Sequence, residues 1–455
     1  MVKSVKKIFS SLLITFFLLL ACLPWFVGCG EKSVKEITIK VPRSSTLNSV
    51  ARPDLESVTA LLTHASEEFA AQYGKEIKVK VVEFESGEET KAVYNTFGTP
   101  DAADILYDSF YNMSSFIHTG NAVPLDDILS DEMAKDLNSK YVDNGRFDKK
   151  LYMMPYMVSQ NILIYNKQLL RQCGLDAYIG ENGTISDWPI EDWTAILNTL
   201  AEKLPTGYVP TMMYAKDNEG DTHIMTLLRS YGSDLFDEDV NFKLDGKAVE
   251  ALRWIQNGVT NGWYLPVPYF KTMSDNSSKF KTGEMAFFNF NSAGPMYRSV
   301  IADGGLDKYG FVNYPGNNCT FFCEGFEVFD NGDSEKIEIA KDFVKYFYAT
   351  DKWMECSAGS IPVSNKVLKK YEDKILLLDA FLDNAVNEVD FRRNLPNWQG
   401  ADNSVGSVFH KEIANLLIRD ANGNFALTPE ECARILETKL NEAINSGRTN
   451  SHPHE

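Results

Sequence analysis

The sequence predicts an α/β protein of two domains, and three observations carry that expectation. Strand-like and helix-like segments alternate along the chain, the apolar share of 44 % suits a folded globular body, and 455 residues exceed one ordinary core.

The elements follow in order. "EITIKV" sets Ile37, Ile39 and Val41 on one face of a strand. Leu55, Val58, Leu62, Ala65 and Phe69 recur at helical spacing, with Gly74 as the stop. "IKVKVVEF" is a second strand, so strand, helix and strand form a parallel unit. "ADILYDS" is a third strand ending at Asp108, and open α/β sheets collect ligands at such ends. Downstream, Trp193, Ile196, Leu197, Leu200 and Leu204 form one helical stripe, and Ile337, Ala340, Phe343, Val344 and Phe347 another. Both are core faces. Thr428-Pro429-Glu430-Glu431 is a capping box with proline at the first helical position. It opens a helix buried along Cys432, Ile435, Leu436, Leu440 and Ile444, which Gly447 stops. Asn445 to Glu455 read as a frayed tail. There is no internal repeat and no low-complexity linker.

Before the first strand stand Lys3, Lys6 and Lys7, then an uncharged run from Leu12 to Val27, then Gly28 and Cys29. A basic start, an apolar middle and a small residue at the cleavage point make an export signal. A permanent anchor helix fits less well, because it needs about 20 apolar residues and Pro24 interrupts this run. Phe26-Val27-Gly28-Cys29 resembles the lipobox of bacterial lipoproteins, with phenylalanine at the usual leucine position. That resemblance implies residues 1–28 as signal peptide, a lipid on Cys29 and residues 29–35 as the tether. Leu19-Leu20-Ala21-Cys22 is a rival, but cleavage there leaves Leu23 to Val27 exposed. Acyl chains hold a protein at a membrane surface without spanning it. The expected location is therefore the extracellular face of the cell membrane.

The formal charge is −18, and the signal carries three lysines and no acid, so the remaining body stands at −21. That sign disfavours nucleic acid and anionic membrane surfaces as partners. Five cysteines follow Cys29: Cys173, Cys319, Cys323, Cys356 and Cys432. Their number is odd and their spacing irregular, so they are no disulfide framework. Cys319 and Cys323 lie four apart in a strand-like run, roughly 13 Å along it, too far to bridge without a bend. They read as buried small apolar residues.

No G-x-x-x-x-G-K, G-x-S-x-G or H-E-x-x-H occurs, and the six histidines are scattered. Asp237-Glu238-Asp239-Val240-Asn241 alternates acids like a calcium loop, but Phe242 replaces the turn glycine and Ala248 the bidentate glutamate. No metal and no cofactor is expected. Aromatic residues instead sit beside amides and acids in loop-like places: Tyr107 to Tyr111 around Asp108, Tyr156 with Gln160 and Asn161, Asn289-Phe290-Asn291, and Asn397-Trp398-Gln399. Sugars present apolar C–H faces and a rim of hydroxyls, so their sites need flat rings and short groups that donate and accept. Each of these rings has core packing as its alternative use.

The order of segments resembles the family 1 extracellular solute-binding proteins of ABC importers. "LYMMPYMVSQNILIYNKQLLRQCGL" is similar to the family's first crossover, with Pro155, Tyr156, Tyr165, Asn166 and Lys167 in place and Cys173 where alanine is usual. "DWTAILNTLAEKL" resembles the next helix. "FKTGEMAFFNFNSAGPM" resembles its F-x-x-G-x-x-A-M segment through Phe280, Gly283, Met285 and Ala286. The later segment from Cys323 to Leu368 resembles the second crossover and ends in a G-x-I-P turn at Gly359, Ile361 and Pro362. Asn291-Ser292 stands where sugar-binding members commonly carry tryptophan.

The resemblance implies a periplasmic-binding-protein-like fold of two α/β lobes, with hinge-crossing segments and a ligand cleft between them. One lobe would comprise 36–158 and 324–390, the other 159–323 and 391–447, with a tail at 448–455. The ligand-binding set it implies is Ser44, Asp108, Tyr156, Gln160, Asn161, Asn289, Asn291, Glu324 and Trp398. "LPNWQG" follows the third crossover, where the family lines its cleft, so Trp398 is expected as a platform, with burial between lobe and terminal helix as the alternative. The implied function is a monomeric receptor that closes on a neutral carbohydrate and presents it to ABC permease subunits. A glycan-acting enzyme and a sensor or adhesin on the same fold are the rivals.

Overall fold

The computed structural model describes residues 34–43, 45–213, 215, 221–294, 296–398 and 403–449. The expected signal peptide, Cys22, Cys29, Ser44, Gln399 and the end of the tail lie outside the described residues. Ten strands join in one mixed sheet: β1 (Lys35–Pro42), β2 (Ile77–Phe84), β3 (Ile105–Ser109), β4 (Met153–Asn166), β5 (Ile185–Ser186), β6 (Phe287–Asn291), β7 (Tyr309–Val312), β8 (Cys319–Val328), β9 (Ile361–Pro362) and β10 (Glu388–Val389). The order is β2-β1-β3-β8-β4-β7-β5, with β6 and β9 also pairing β4 and β10 pairing β8.

The first lobe starts as expected. β1 and β2 pair in parallel over their full length, joined by helix α1 (Val58–Gln72). Ser57 caps α1 by accepting from the Ala60 N–H. Leu55 lies before the helix, buried as a core residue. The expected glycine stop is absent: α1 ends at Tyr73 in extended backbone, and Gly74 is not left-handed.

Helices α2 (Ile190–Lys203), α3 (Asp221–Leu228), α4 (Gly246–Asn261) and α5 (Met296–Ala302) lie within residues 159–323, the stretch expected in the second lobe. Trp193 of α2 packs on Phe287 of β6 at 5.0 Å between ring centroids. Helix α6 (Ser334–Ala349) returns to the first lobe, where Phe343 meets Phe69 of α1 edge-on at 5.4 Å. Helices α7 (Leu378–Asn384), α8 (Val405–Leu417) and α9 (Pro429–Thr449) complete the chain, and α9 packs on α8 and α4. The capping box forms: Thr428 N–H donates to Glu431 (2.9 Å) and Glu431 N–H to Thr428 Oγ1 (3.2 Å). Gly447 does not stop α9, which runs on to Thr449 through the expected tail. A Cβ on Gly447 would lie 3.0 Å from side-chain atoms of Pro396 and Asn397, so the glycine admits that segment. The five cysteines are free and buried, with Cys319 and Cys323 both in β8.

The lobes share their central strands. β4 is fourteen residues long and buried throughout. Its residues 153–161 pair antiparallel with β8, and its residues 161–166 pair with β6 and β7. β8 continues from there to β3, joining Glu324 through Val328 to the first lobe. β10 lies parallel to the start of β8 as a third crossing.

The β4–β8 ladder shifts register opposite Glu324 and Gly325, where Tyr156 is the extra residue of β4. A Cβ on Gly325 would sit 2.1 Å from the Met154 carbonyl oxygen. Gly325→Ala should therefore force the crossing strands apart and cost about 1–3 kcal/mol, the scale of overpacking. Urea unfolding of the two proteins checks this, and equal midpoints would refute the close approach.

Candidate functional site

Opposed residues of neighbouring strands share a face. The β4–β8 register therefore sets Asn161 with Thr320, Ser159 with Phe322 and Met157 with Glu324 on one face of the crossing. Gln160 with Phe321 and Val158 with Cys323 take the other. On β6, Asn291 opposes Asn161 and Asn289 opposes Leu163, which extends the first face into the second lobe.

That first face is enclosed between the lobes. Tyr111, just beyond β3, hydrogen-bonds Thr320 Oγ1 through its hydroxyl (2.8 Å) and lays its ring 5.4 Å from Phe322. Trp398 stands edge-on to Tyr111 at 5.8 Å and to Phe242 of the second lobe at 6.5 Å. From the second lobe, His223 Nδ1 lies 3.0 Å from the Tyr314 hydroxyl, which also engages the Asn161 amide. Burial lowers the His223 pKa to about 3, so the imidazole is neutral, and its Nδ1 and the Tyr314 hydroxyl share one hydrogen bond. The Tyr314 oxygen then receives the Asn161 amide N–H, which leaves Asn161 Oδ1 for another donor.

Three buried polar atoms around this face have no hydrogen-bond partner: Ser159 Oγ, Asn161 Oδ1 and Trp398 Nε1. Such groups are ordinarily satisfied, by protein, water or ligand. A hydroxyl that can give or accept, an acceptor oxygen and an N–H donor beside two aromatic rings match a polyhydroxylated molecule, whose hydroxyls both give and accept.

The expected residues divide. Asn161, Asn289, Asn291 and Glu324 share the enclosed face. The Asn291 Oδ1 accepts from the Ala293 N–H (2.8 Å). Asp108 sits at the end of β3 on the opposite pleat, accepting from the Ser109 N–H (2.7 Å) and the Asn112 amide (3.2 Å). Gln160 is turned to the back. Its amide donates to the Phe381 carbonyl (2.7 Å) and Glu388 (2.8 Å) and accepts from Asn384 (3.0 Å), which leaves nothing for a ligand. Tyr156 is a first-lobe core residue whose hydroxyl is bound to the Trp353 carbonyl (2.7 Å). Trp398 is 0 % exposed, so its ring is an interlobe packing element here and presents no open platform. Ser159, Thr320, Phe322 and Tyr314 were absent from the expected set. The signal for Ser159 is its i, i+2 spacing from Asn161.

Two neighbouring features do not enter the site. The Asp237 carboxylate is spent on the N–H groups of Asp239 and Asn241. Among the described residues no cluster of three His, Cys, Asp or Glu is placed to hold a metal. A groove of about 380 Å³ on the first lobe, lined by Met133, Tyr348 and Met354, lies away from the crossing face.

Two lobes joined by crossing strands, with a polar face shut between them, define a protein that encloses a solute. The sequence matches the bacterial extracellular solute-binding protein family over residues 53–352, and the chain belongs to that family. Solved structures share the fold. The GacH receptor of Streptomyces glaucescens, determined unliganded and with acarbose, has 18 % identity and a TM-score of 0.67 over 90 % of this chain and 99 % of its own. An ABC substrate-binding protein of Listeria monocytogenes in complex with cycloalternan has 19 % identity and a TM-score of 0.68, again over 90 % and 99 %. The maltotriose-binding protein of Thermus thermophilus has 18 % identity and a TM-score of 0.63 over 88 % and 99 %. A search of curated protein sequences finds no match.

Glu324 carries the site's pH dependence. Burial pushes its pKa up to about 7, against the opposing hydrogen bond from the Tyr107 hydroxyl (3.0 Å). The folded state thus holds a proton that the unfolded chain releases above about 4.5, its ordinary value. Stability from this group is present below that value and is lost as pH rises toward about 7. Melting temperatures across that range should fall less with pH in Glu324→Gln than in the native protein. Parallel slopes would show that Glu324 titrates normally.

Proposed function

We propose that this protein is the receptor of an ABC importer and captures a neutral carbohydrate, an oligosaccharide, by closing its lobes around it. The observation that carries this reading is the enclosed face on which Ser159 Oγ, Asn161 Oδ1 and Trp398 Nε1 lack partners beside Glu324 and Tyr111, and those three atoms need the groups a sugar rim supplies. The structural relatives bound to acarbose, cycloalternan and maltotriose support the same ligand class. The lobes are assigned as 36–158 with 324–390 and 159–323 with 391–447, so that β4 and β8 change lobe where the polar face lies. Binding energy then shifts the balance between open and closed forms, and the closed form is what the permease accepts. On this reading the ligand leaves unchanged, in keeping with membership of the solute-binding family. Of the candidate ligand residues, Asn161, Asn289, Asn291 and Glu324 are retained as contacts; Ser44 and Asp108 are proposed with them from the family resemblance alone, Asp108 lying on the opposite pleat.

The chain is further proposed to be held at the extracellular side of the membrane by lipid on Cys29. Among the described residues no helix is long and apolar enough to cross a membrane. Cys29→Ser should abolish lipid labelling in cells, whereas persistent labelling would move the anchor to Cys22.

A thermal-shift panel of neutral sugars tests the capture. A ligand at 100 times its Kd should add about 2.7 kcal/mol of stability. Calorimetry should give one ligand per chain, recovered intact, and product formation would overturn the reading. Asn161→Ala should weaken binding of the sugar found by about tenfold while the ligand-free melting temperature changes little, the scale of a lost hydrogen bond at a buried site.

A further inference from the structure

One rim between the lobes is tied together by hydrogen bonds among residues outside the candidate ligand set. The segment after β1 approaches the segment between β6 and α5 across the lobe boundary. Asn48, 7 % exposed, donates its amide to the carbonyls of Ser292 (2.9 Å) and Gly294 (3.0 Å). Its Oδ1 accepts from Arg298 Nε (3.1 Å). The Arg298 guanidinium also donates to the carbonyls of Leu47 and of Leu55 (3.0 Å for the latter). Thr46 adds a bond to the Ala293 carbonyl, and the Leu376 N–H donates to the Tyr297 hydroxyl (3.1 Å). All of these join residues of the first lobe to residues of the second.

Both sides are built rigidly. Val50 N–H donates to the Ala358 carbonyl (2.6 Å), and Gly359 passes so close that a Cβ there would lie 1.8 Å from the Asn48 carbonyl oxygen. The loop is therefore pinned to its own lobe and carries the Asn48 side chain as a fixed hook. Arg298 is on helix α5, which follows directly from β6. Its fork meets three acceptors at once, a geometry a lysine ammonium does not reproduce. Hinge opening must break the whole set together, since every bond spans the boundary.

We propose that Asn48 and Arg298 form an interlobe latch that sets how much of the protein is closed before and after ligand binds. The inference rests on capture by lobe closure, as proposed above. The two are positioning residues: Asn48 has both amide protons and its oxygen engaged, so their effect on affinity runs through the closed-state population. Apparent affinity scales with the fraction of binding-competent protein, so a weakened latch loosens every ligand by the same factor, about tenfold for a tenfold loss of the closed form.

Small-angle X-ray scattering of the ligand-free protein and of folded Asn48→Ala, Arg298→Ala and Asn48→Asp tests this. The latch predicts a larger radius of gyration than native in all three, with Arg298→Lys also opened. Glu56→Gln, which removes only the charge of the exposed carboxylate 3.3 Å from Arg298, should scatter like the native protein. Circular dichroism melts establish that each variant is folded, and Asn48→Asp, which keeps volume and acceptor, serves if an alanine variant is not. Unchanged scattering in the folded variants would overturn the latch. Adding maltotriose separates the two ideas. Native protein that compacts with sugar while the variants scatter as it does refutes the latch alone. Variants that open, in a protein that no sugar compacts or stabilises, keep the latch and refute capture.

Discussion

The antiparallel pairing of β4 with β8 is the constraint on which the other parts depend. Fourteen buried residues of β4 have no lobe of their own. Their backbone groups must be paired, since unpaired ones are costly away from water. They find β8 along one stretch and β6 with β7 along the next. The strands on either side are thereby fixed to one ladder in a single sheet. Any relative motion has to be a twist or bend of these strands, because sliding would break the register. The bulge at Tyr156 and the bare Gly325 mark the place where the ladder departs from regularity, at the edge of the first lobe.

The two faces of this ladder are finished in opposite ways. On the back, Gln160, Asn384, Asn313, Glu388 and Asp187 form a closed polar network. Asn384 and Asn313 exchange amide bonds at 2.9 and 2.6 Å, Asn313 reaches Asp187 at 2.7 Å, and Lys140 neutralises Glu388 at 2.7 Å. A fully satisfied buried network specifies one arrangement. On the front, Ser159 and Asn161 alternate with those back-facing residues on the same strand, and their oxygens are left unmet. Desolvating them without partners costs free energy that a ligand's hydroxyls would offset. The same strand thus supplies a stiff hinge behind and an unfinished surface in front.

This division explains how far the sequence could be read. The α/β class, the first three strands, the helical stripes and the Thr428 cap rest on local pattern and appear where the pattern puts them. The two glycine stops failed for different reasons: Gly74 follows a helix already ended in extended backbone, and Gly447 is bare because Asn397 packs against it. Gln160 and Asn161 were both legible as amides near a crossing, but neighbours on a strand face opposite ways, so both could not serve one site. Which of them faces the cleft depends on the bulge at Tyr156 and on pairing with a strand far along the chain, and neither is a local property. Trp398 was legible as a residue of irregular backbone. Its burial comes from Tyr111 and Phe242, which lie far apart in the sequence and meet only through the fold.

The placement of charge narrows what the front face accepts. Buried acids elsewhere in the chain hold a lysine: Asp104 with Lys336 at 3.2 Å, Glu388 with Lys140 at 2.7 Å and Glu412 with Lys439 at 2.5 Å. Asp108 and its neighbours do not follow that pattern. Asp108 is pushed well above the usual carboxylate range by burial and by the charge of Glu89, and Glu327 is pushed the same way by burial and by Asp108. Among the described residues no cation pairs with Glu89, Asp108, Glu324 or Glu327. Behind the ladder, burial therefore keeps Asp108 and Glu327 toward the neutral, protonated form. On the front face Glu324 has no cation beside it either, so a phosphate- or carboxylate-bearing solute finds no counter-charge there at low dielectric, where charge interactions are strong. A neutral, hydroxyl-rich one needs none and can exchange hydrogen bonds with Glu324. The missing counter-charge at Glu324 and the unpartnered oxygens of β4 thus favour the same kind of guest.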